Sequence, residues 1–145
     1  MMANTADLLK LKGATVFSVS SDTSIRDALL LMENKDVGAL LILDGDVISG
    51  IFSERDFARL IARKGVYPLD TSVRDVMTKE VHTITPATCI EDCMQLMTEK
   101  HIRHLPVLDS GKLVGLISIG DVVKAIITSQ RDLIDQLEGY ISGRW

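Results

Sequence analysis

The chain states one pattern twice. Asp36–Ile61 reads DVGALLILDGDVISGIFSERDFARLI, and His101–Ile126 answers it without a gap as HIRHLPVLDSGKLVGLISIGDVVKAI. Gly50 and Gly115, Ser53 and Ser118, and Asp56 and Asp121 fall in register. Between Val16–Ile61 and Val81–Ile126, about 14 of roughly 46 positions are identical. Many others exchange one apolar residue for another, as at Val19/Ile84 and Leu29/Met94. A repeat of this kind constrains the fold more than any local propensity, because each copy must be one supersecondary unit. One copy of under about 60 residues buries too little surface to be comfortable alone. Two copies packed through their sheets, with approximate two-fold symmetry, are the expected solution.

Both copies share one grammar. A short β-prone stretch comes first, at Thr15–Val19 and His82–Thr85. A helix follows, with apolar residues at helical spacing: Ile25, Ala28, Leu29 and Met32, then Ile90, Cys93, Met94 and Met97. The second of these helices opens on Thr88-Cys-Ile-Glu91, which reads as a capping box. Two strands joined by tight turns at Asp44-Gly45-Asp46 and Asp109-Ser110-Gly111 come next, and another helix begins after Ser53 and Ser118. The expected fold class is therefore α/β: two β-α-β-β-α repeats in pseudo-two-fold packing. Gly65 and Pro68 break the pattern between the copies, and Val73, Val76 and Met77 predict a short helix leading into the second. An echo of that lead-in, TADLLKLKGATV, precedes the first copy. The expected organisation is a first repeat over 5–63, linker and lead-in over 64–78, a second repeat over 79–128, and a helical extension with tail over 129–145.

Composition excludes several classes. A net charge of −4, with no basic cluster interleaved with aromatics, argues against a dedicated nucleic-acid binder. The longest apolar runs, such as Ala39–Leu43, are strand-sized, and no secretory signal is evident. Cys89 and Cys93 read as reduced thiols of a cytoplasmic protein. Cys89, Cys93, His101 and His104 invite a metal reading, but Cys93 stands where the first copy has Ala28, so a core thiol is expected and no metal.

The recurring Ser-x-x-Asp has two readings. In one, the serine caps its helix and the acid complements the helix dipole, worth about 1 kcal/mol. In the other, the helix start offers N–H groups to a phosphate, and the carboxylate accepts both hydroxyls of a ribose. Glycine three residues before each serine lets another group approach the backbone closely, and a nucleotide has both features the second reading requires.

The doubled β-α-β-β-α unit, with RHLPV, GLISIGDV and GIFSERDF, resembles a tandem pair of cystathionine-β-synthase (CBS) domains, a Bateman module, from about Thr5 to Ile127. The resemblance implies adenine-nucleotide binding in the clefts between the repeats. Asp56 and Asp121 would take the ribose, with Ser53 and Ser118 near the phosphate. Arg103 and His104 would approach phosphate, while Pro106 and the stretch Val81, Thr83 and Ile84 would meet adenine through the backbone. The first copy departs from this set: Gly38, Ala39 and Leu41 replace Arg103, His104 and Pro106, whereas its Arg55 faces Gly120. The two sites are therefore expected to be unequal.

No nucleophile, base and orienter come together in the pattern, so a non-catalytic sensor of AMP, ADP, ATP or NAD(H) is expected rather than an enzyme. It would be a homodimer signalling to a separate regulated protein, with no nucleic acid or membrane as partner. An interaction-only module without nucleotide and a weak nucleotide-processing enzyme are the alternatives. The last helix runs on through Val123, Ile126, Ile127, Leu133, Ile134 and Leu137, with Gly139 as expected C-cap before YISGRW. That extension either folds back on its own domain or joins a dimer or partner.

Overall fold

The structure, a computed structural model, describes residues 4–66 and 68–141. The chain divides into two compact units. Of the described residues, those between 16 and 81 form one, and 82–141 form the other together with 4–15. The elements in order are α1 (Thr5–Lys12), β1 (Ser18–Val19), α2 (Ile25–Lys35), β2 (Ala39–Asp44), β3 (Val47–Ser53) and α3 (Glu54–Lys64). A 3-10 turn at Val73–Asp75 leads on to α4 (Ile90–Lys100), β4 (His104–Asp109), β5 (Lys112–Ser118) and α5 (Ile119–Ile141). This is a mixed α/β protein with two small sheets.

The first unit holds a three-stranded sheet in the order β1-β2-β3, with β1 parallel and β3 antiparallel to β2. In the other, β4 and β5 form an antiparallel pair, and Ile84 bridges Val107 in parallel. Both hairpins shift register at the same place, between Ile42 and Leu43 and between Val107 and Leu108. Each unit has its own core, drawn from equivalent positions of the repeat. Ile25, Ala28, Met32, Leu40, Ile42 and Phe52 in one correspond to Ile90, Cys93, Met97, Leu105, Val107 and Ile117 in the other. Four consecutive residues of β2, Ala39–Ile42, are buried, as expected for a strand covered on both faces.

The chain exchanges its lead-ins. Helix α1, which precedes the first copy in sequence, packs in the unit of the second, where Thr5 N–H donates to Thr88 C=O at 2.8 Å. The segment between the copies closes the first unit, where Val73 N–H donates to Thr23 C=O at 2.8 Å. The two bonds occupy equivalent places. So do two side chains laid over glycines: a Cβ on Gly50 would stand 2.7 Å from Met77 Sδ, and one on Gly115 2.6 Å from Leu9 Cδ2. The close approach that these glycines permit is thus filled by the chain's own lead-ins, not kept open for a ligand.

Two sequence expectations are corrected. Thr88 does not cap α4; its hydroxyl accepts the Thr85 N–H at 3.1 Å and closes a turn instead. The helix begins one residue later at N-cap Cys89, which makes no side-chain cap bond. Gly139 does not terminate α5, whose hydrogen-bonded turns continue through it to Ile141. Glycine inside a helix costs about 1 kcal/mol relative to alanine, which is too little to end a run that already has its ladder. Residues 142–145 of the tail, including the only tryptophan, lie outside the described residues.

The glycine contacts predict unequal mutant costs. Beside Gly50 stands not only Met77 but the Thr78 backbone oxygen, also 2.7 Å from the added atom, whereas the three atoms nearest one added to Gly115 all belong to the Leu9 side chain. Gly50→Ala is expected to destabilise by about 1–3 kcal/mol. Gly115→Ala should cost distinctly less, because Leu9 can rotate away. Urea unfolding of both variants checks the order.

Candidate functional site

The two Ser-x-x-Asp sequences fold into the same structure. Each serine ends a strand and caps the helix that follows. Ser53 Oγ accepts the Asp56 N–H at 3.1 Å while Ser53 N–H donates to Asp56 Oδ2 at 3.0 Å. Ser118 Oγ accepts the Asp121 N–H at 3.2 Å while Ser118 N–H donates to Asp121 Oδ2 at 2.8 Å. Both are closed capping boxes, and both use Oδ2 of the carboxylate. A carboxylate offers about four lone-pair sites, so the capping role leaves Oδ1 outside the box.

Cross-strand register decides which other candidates join each junction. His104 lies directly opposite Ser118, and Ala39 opposite Ser53. The Arg103 carbonyl accepts the first helical N–H, from Ile119, at 2.8 Å, as Gly38 does from Glu54 at 3.0 Å. Arg103 is exposed and His104 half-buried; Arg55 is exposed on the first turn of α3. Pro106 is buried in β4, where its carbonyl accepts the Ile84 N–H at 3.1 Å. Ile84 is buried and Thr83 exposed beside it, whereas Val81 closes the other unit. The structure thus gathers Ser118, Asp121, Arg103, His104, Pro106 and Ile84 around one hairpin and Ser53, Arg55 and Asp56 around the other.

Proline changes the edge of its sheet. At the equivalent position of the first copy, Leu41 N–H donates to Phe17 C=O at 3.3 Å. Pro106 has no N–H to give, and pairing of the first strand shrinks from two residues to the single Ile84–Val107 bridge.

A second difference was not legible in the sequence. Lys12, at the end of α1, donates to the Leu116 carbonyl at 2.7 Å and pairs with Asp121 Oδ2. In the other unit the equivalent carbonyl, that of Ile51, accepts the backbone N–H of Thr78 at 2.9 Å, so no lysine is brought to Asp56 by that route. Burial would raise the Asp121 carboxyl, but the Lys12 hydrogen bond, the Ser118 N–H, the Lys12 charge and the Ser118 hydroxyl outweigh it. Together they hold the carboxyl below its ordinary 3.8. Between α1 and α5 lies a cavity of about 520 Å³, lined in part by Leu8, Lys12, Asp121, Lys124 and Thr128. Of the residues singled out from the sequence, Asp121 alone reaches it.

The first unit has its own polar network. Asp44 accepts from Ser49 Oγ at 2.6 Å and from Ser21 N–H at 3.1 Å and Oγ at 3.0 Å, and these bonds lower its pKa. Arg74 joins them through Ser21 Oγ at 3.2 Å and pairs with Asp22. Pro86, Ala87 and Val114 stand at the places of Ser21, Asp22 and Ser49 in the second copy, which therefore cannot form this network. Cys93 lies buried in the core with its sulfur 3.4 Å from Thr5 Oγ1, and burial pushes the thiol pKa up.

Two like α/β units, each closing on a Ser-x-x-Asp cap and differing in the groups around it, define a tandem-repeat module with two unequal junctions. Residues 14–63 and 73–128 match the family model of the CBS domain, and the chain belongs to that family as a CBS domain pair. It is 36% identical to the mitochondrial CBS domain-containing protein CBSX3 of Arabidopsis thaliana, over 95% of this chain and 71% of that one. A signal-transduction protein with CBS domains from Burkholderia ambifaria superposes with TM-score 0.83 at 45% identity, covering 88% of this chain and 96% of that one. The CBS domain pair of protein MJ0100, solved with 5′-methylthioadenosine and S-adenosyl-L-methionine, shares the fold at TM-score 0.77 and 20% identity, covering 89% and 99%.

The lysine contact yields a pH prediction. A carboxyl whose folded pKa lies below its unfolded value adds stability that is complete above the unfolded value and is lost as pH falls through the folded one. In an NMR titration, Asp121 is expected to ionise below 3.8 in the wild type. In Lys12→Met its pKa should rise, because both the hydrogen bond and the charge are gone. An unchanged value would remove Lys12 as the cause.

Proposed function

We propose that the protein is a non-catalytic regulatory module that binds an adenine nucleotide at its two strand-to-helix junctions and passes the signal to a separate protein. The observation that carries this reading is the pair of capping boxes, each holding an aspartate at the start of a helix with Oδ1 outside the box. Asp56 and Asp121 take the ribose hydroxyls, each such bond contributing about 1.5–3 kcal/mol because the acceptor is charged. Ser53 and Ser118 lie at helix N-termini suited to phosphate, with Arg103 and His104 supplementing the second site and Arg55 the first. Pro106, Thr83 and Ile84 supply the backbone edge for adenine. AMP is the first ligand of choice, then ADP, ATP and NAD(H). The bound adenosyl ligands of the MJ0100 pair support this ligand class.

Signalling requires only that the ligand prefer one arrangement of the protein, and a coupling of about 1–3 kcal/mol suffices. The module acts as a homodimer in the cytoplasm, consistent with its two free cysteines. Among the described residues no helix is long and apolar enough to cross a membrane.

Calorimetric titration of ligand-free protein with AMP, ADP, ATP, NAD(H) and S-adenosylmethionine tests the reading. Separate Asp56→Ala and Asp121→Ala variants should each lose affinity at one site. Ligand at about one hundred times its dissociation constant should raise stability by about 2.7 kcal/mol. If neither variant changes adenylate binding, the nucleotide assignment falls. No binding at all leaves an interaction-only module, and Asp121-dependent turnover would make it an enzyme.

A further inference from the structure

Helices α1 and α5 wall the cavity of about 520 Å³ beside Asp121, and helical spacing decides what faces into it. Asp121, Lys124, Thr128 and Asp132 recur at steps of three and four, so they share one side of α5. At about 1.5 Å per residue, that side runs for roughly 16 Å. Leu8 and Lys12 face it from α1, one turn apart. Ile119, Val122 and Ile126 hold α5 to its core, so the polar residues toward the cavity are not spent on packing.

Charge is unevenly spread along the cavity. Lys12, Asp121 and Lys124 gather at the end next to the strand-to-helix junction, whereas Asp132 stands about three turns below Asp121. Lys12 balances the Asp121 carboxylate through their ion pair. Two of its three N–H donors are engaged, by Asp121 Oδ2 and the Leu116 carbonyl, which leaves the third. Among the described residues the Lys124 ammonium makes no ion pair. The junction end therefore holds one cation more than it has anions, and a negative group placed there is attracted by both lysines. The start of α5 has little to add. Its Ile119 N–H is given to the Arg103 carbonyl and its Asp121 N–H to Ser118 Oγ. Side chains must meet most of the negative charge of a ligand.

We propose that Lys12 and Lys124 hold the second phosphate of a nucleotide whose ribose is taken by Asp121, so that this junction selects adenylates with a pyrophosphate over AMP. The inference rests on the nucleotide binding proposed above and deepens it at one of the two junctions. A single phosphate met by Arg103 and His104 leaves the Lys124 charge unmatched, whereas a pyrophosphate reaches the hairpin and the cavity together. At Asp121 the order of ligands given above is thus reversed. In the first unit Arg59 stands at the place of Lys124, but no lysine reaches Asp56 by the route that Lys12 takes, and AMP keeps its first place there.

Calorimetry on ligand-free protein carrying Asp56→Ala isolates the Asp121 junction, with AMP, ADP and NAD(H) titrated in the absence of divalent cations. ADP or NAD(H) should bind about tenfold or more tighter than AMP, the worth of one charge-assisted hydrogen bond. The tighter of the two tells whether the second phosphate ends free or carries a second nucleoside. Adding Lys124→Met should bring the ratio near one while AMP binding is kept, and Lys124→Arg should restore it. Lys124 is exposed, and an unchanged melting temperature of the ligand-free variant confirms its fold. If AMP binds as tightly as both, or the preference survives Lys124→Met, the lysine assignment is overturned and the nucleotide reading stands. If Asp56→Ala binds no adenylate, both are overturned at this junction.

Discussion

Each unit of this protein is finished by a segment that lies outside its own repeat in the chain. Thr5 on Thr88 and Val73 on Thr23 are the same hydrogen bond made twice, and Leu9 over Gly115 and Met77 over Gly50 are the same side-chain contact made twice. The hairpin and the two helices of a repeat leave one stretch of strand backbone uncovered, and the lead-in covers it. The unit over residues 16–81 completes its core from one continuous stretch, whereas the other recruits α1 from the start of the chain. The core of one unit needs Leu8, and that of the other needs Val73.

Apolar periodicity made the repeat, the order of elements and most core positions legible, because burial recurs at fixed offsets wherever two units share a frame. What was hidden depends on partners far apart in sequence. Lys12 reaches Asp121 across most of the chain, and nothing local to either residue marks the pairing. The glycines were legible as sites of close approach, but not what approaches them. The Thr88 signature failed because its hydroxyl had a nearer donor in Thr85. Gly139 failed because a helix with its hydrogen bonds already in place runs through a single glycine. The serines and aspartates were legible as caps, and the caps form. A cap and a ligand site draw on the same residue types at the same spacing, so sequence alone leaves their ligand role open.

The common frame makes the differences between the halves informative. Leu41 to Pro106 removes a donor from the strand edge, and Ala39 to His104 places an imidazole opposite the capping serine. Thr78 to Lys12 replaces a neutral backbone donor with an ammonium. These three changes surround the Asp121 junction. The polar network of Asp44, Ser21, Arg74 and Asp22 lies in the other unit, where it ties the lead-in to the sheet.

The lysine sets terms for any ligand at Asp121 without barring it. Its pairing with the carboxylate is half-exposed, with side chains 31% and 25% accessible, and such pairs are worth about 0–1 kcal/mol. A ribose taken at Oδ1 leaves the Lys12 contacts to Oδ2 and to the Leu116 carbonyl in place. The ammonium beside the carboxylate attracts an anionic group on a ligand and gives a neutral nucleoside no such gain. Under the nucleotide binding proposed above, the Asp121 junction is therefore expected to favour phosphorylated over neutral adenosyl ligands more strongly than the Asp56 junction does. Lys12, which makes the two junctions unlike, precedes the first repeat and folds with the second.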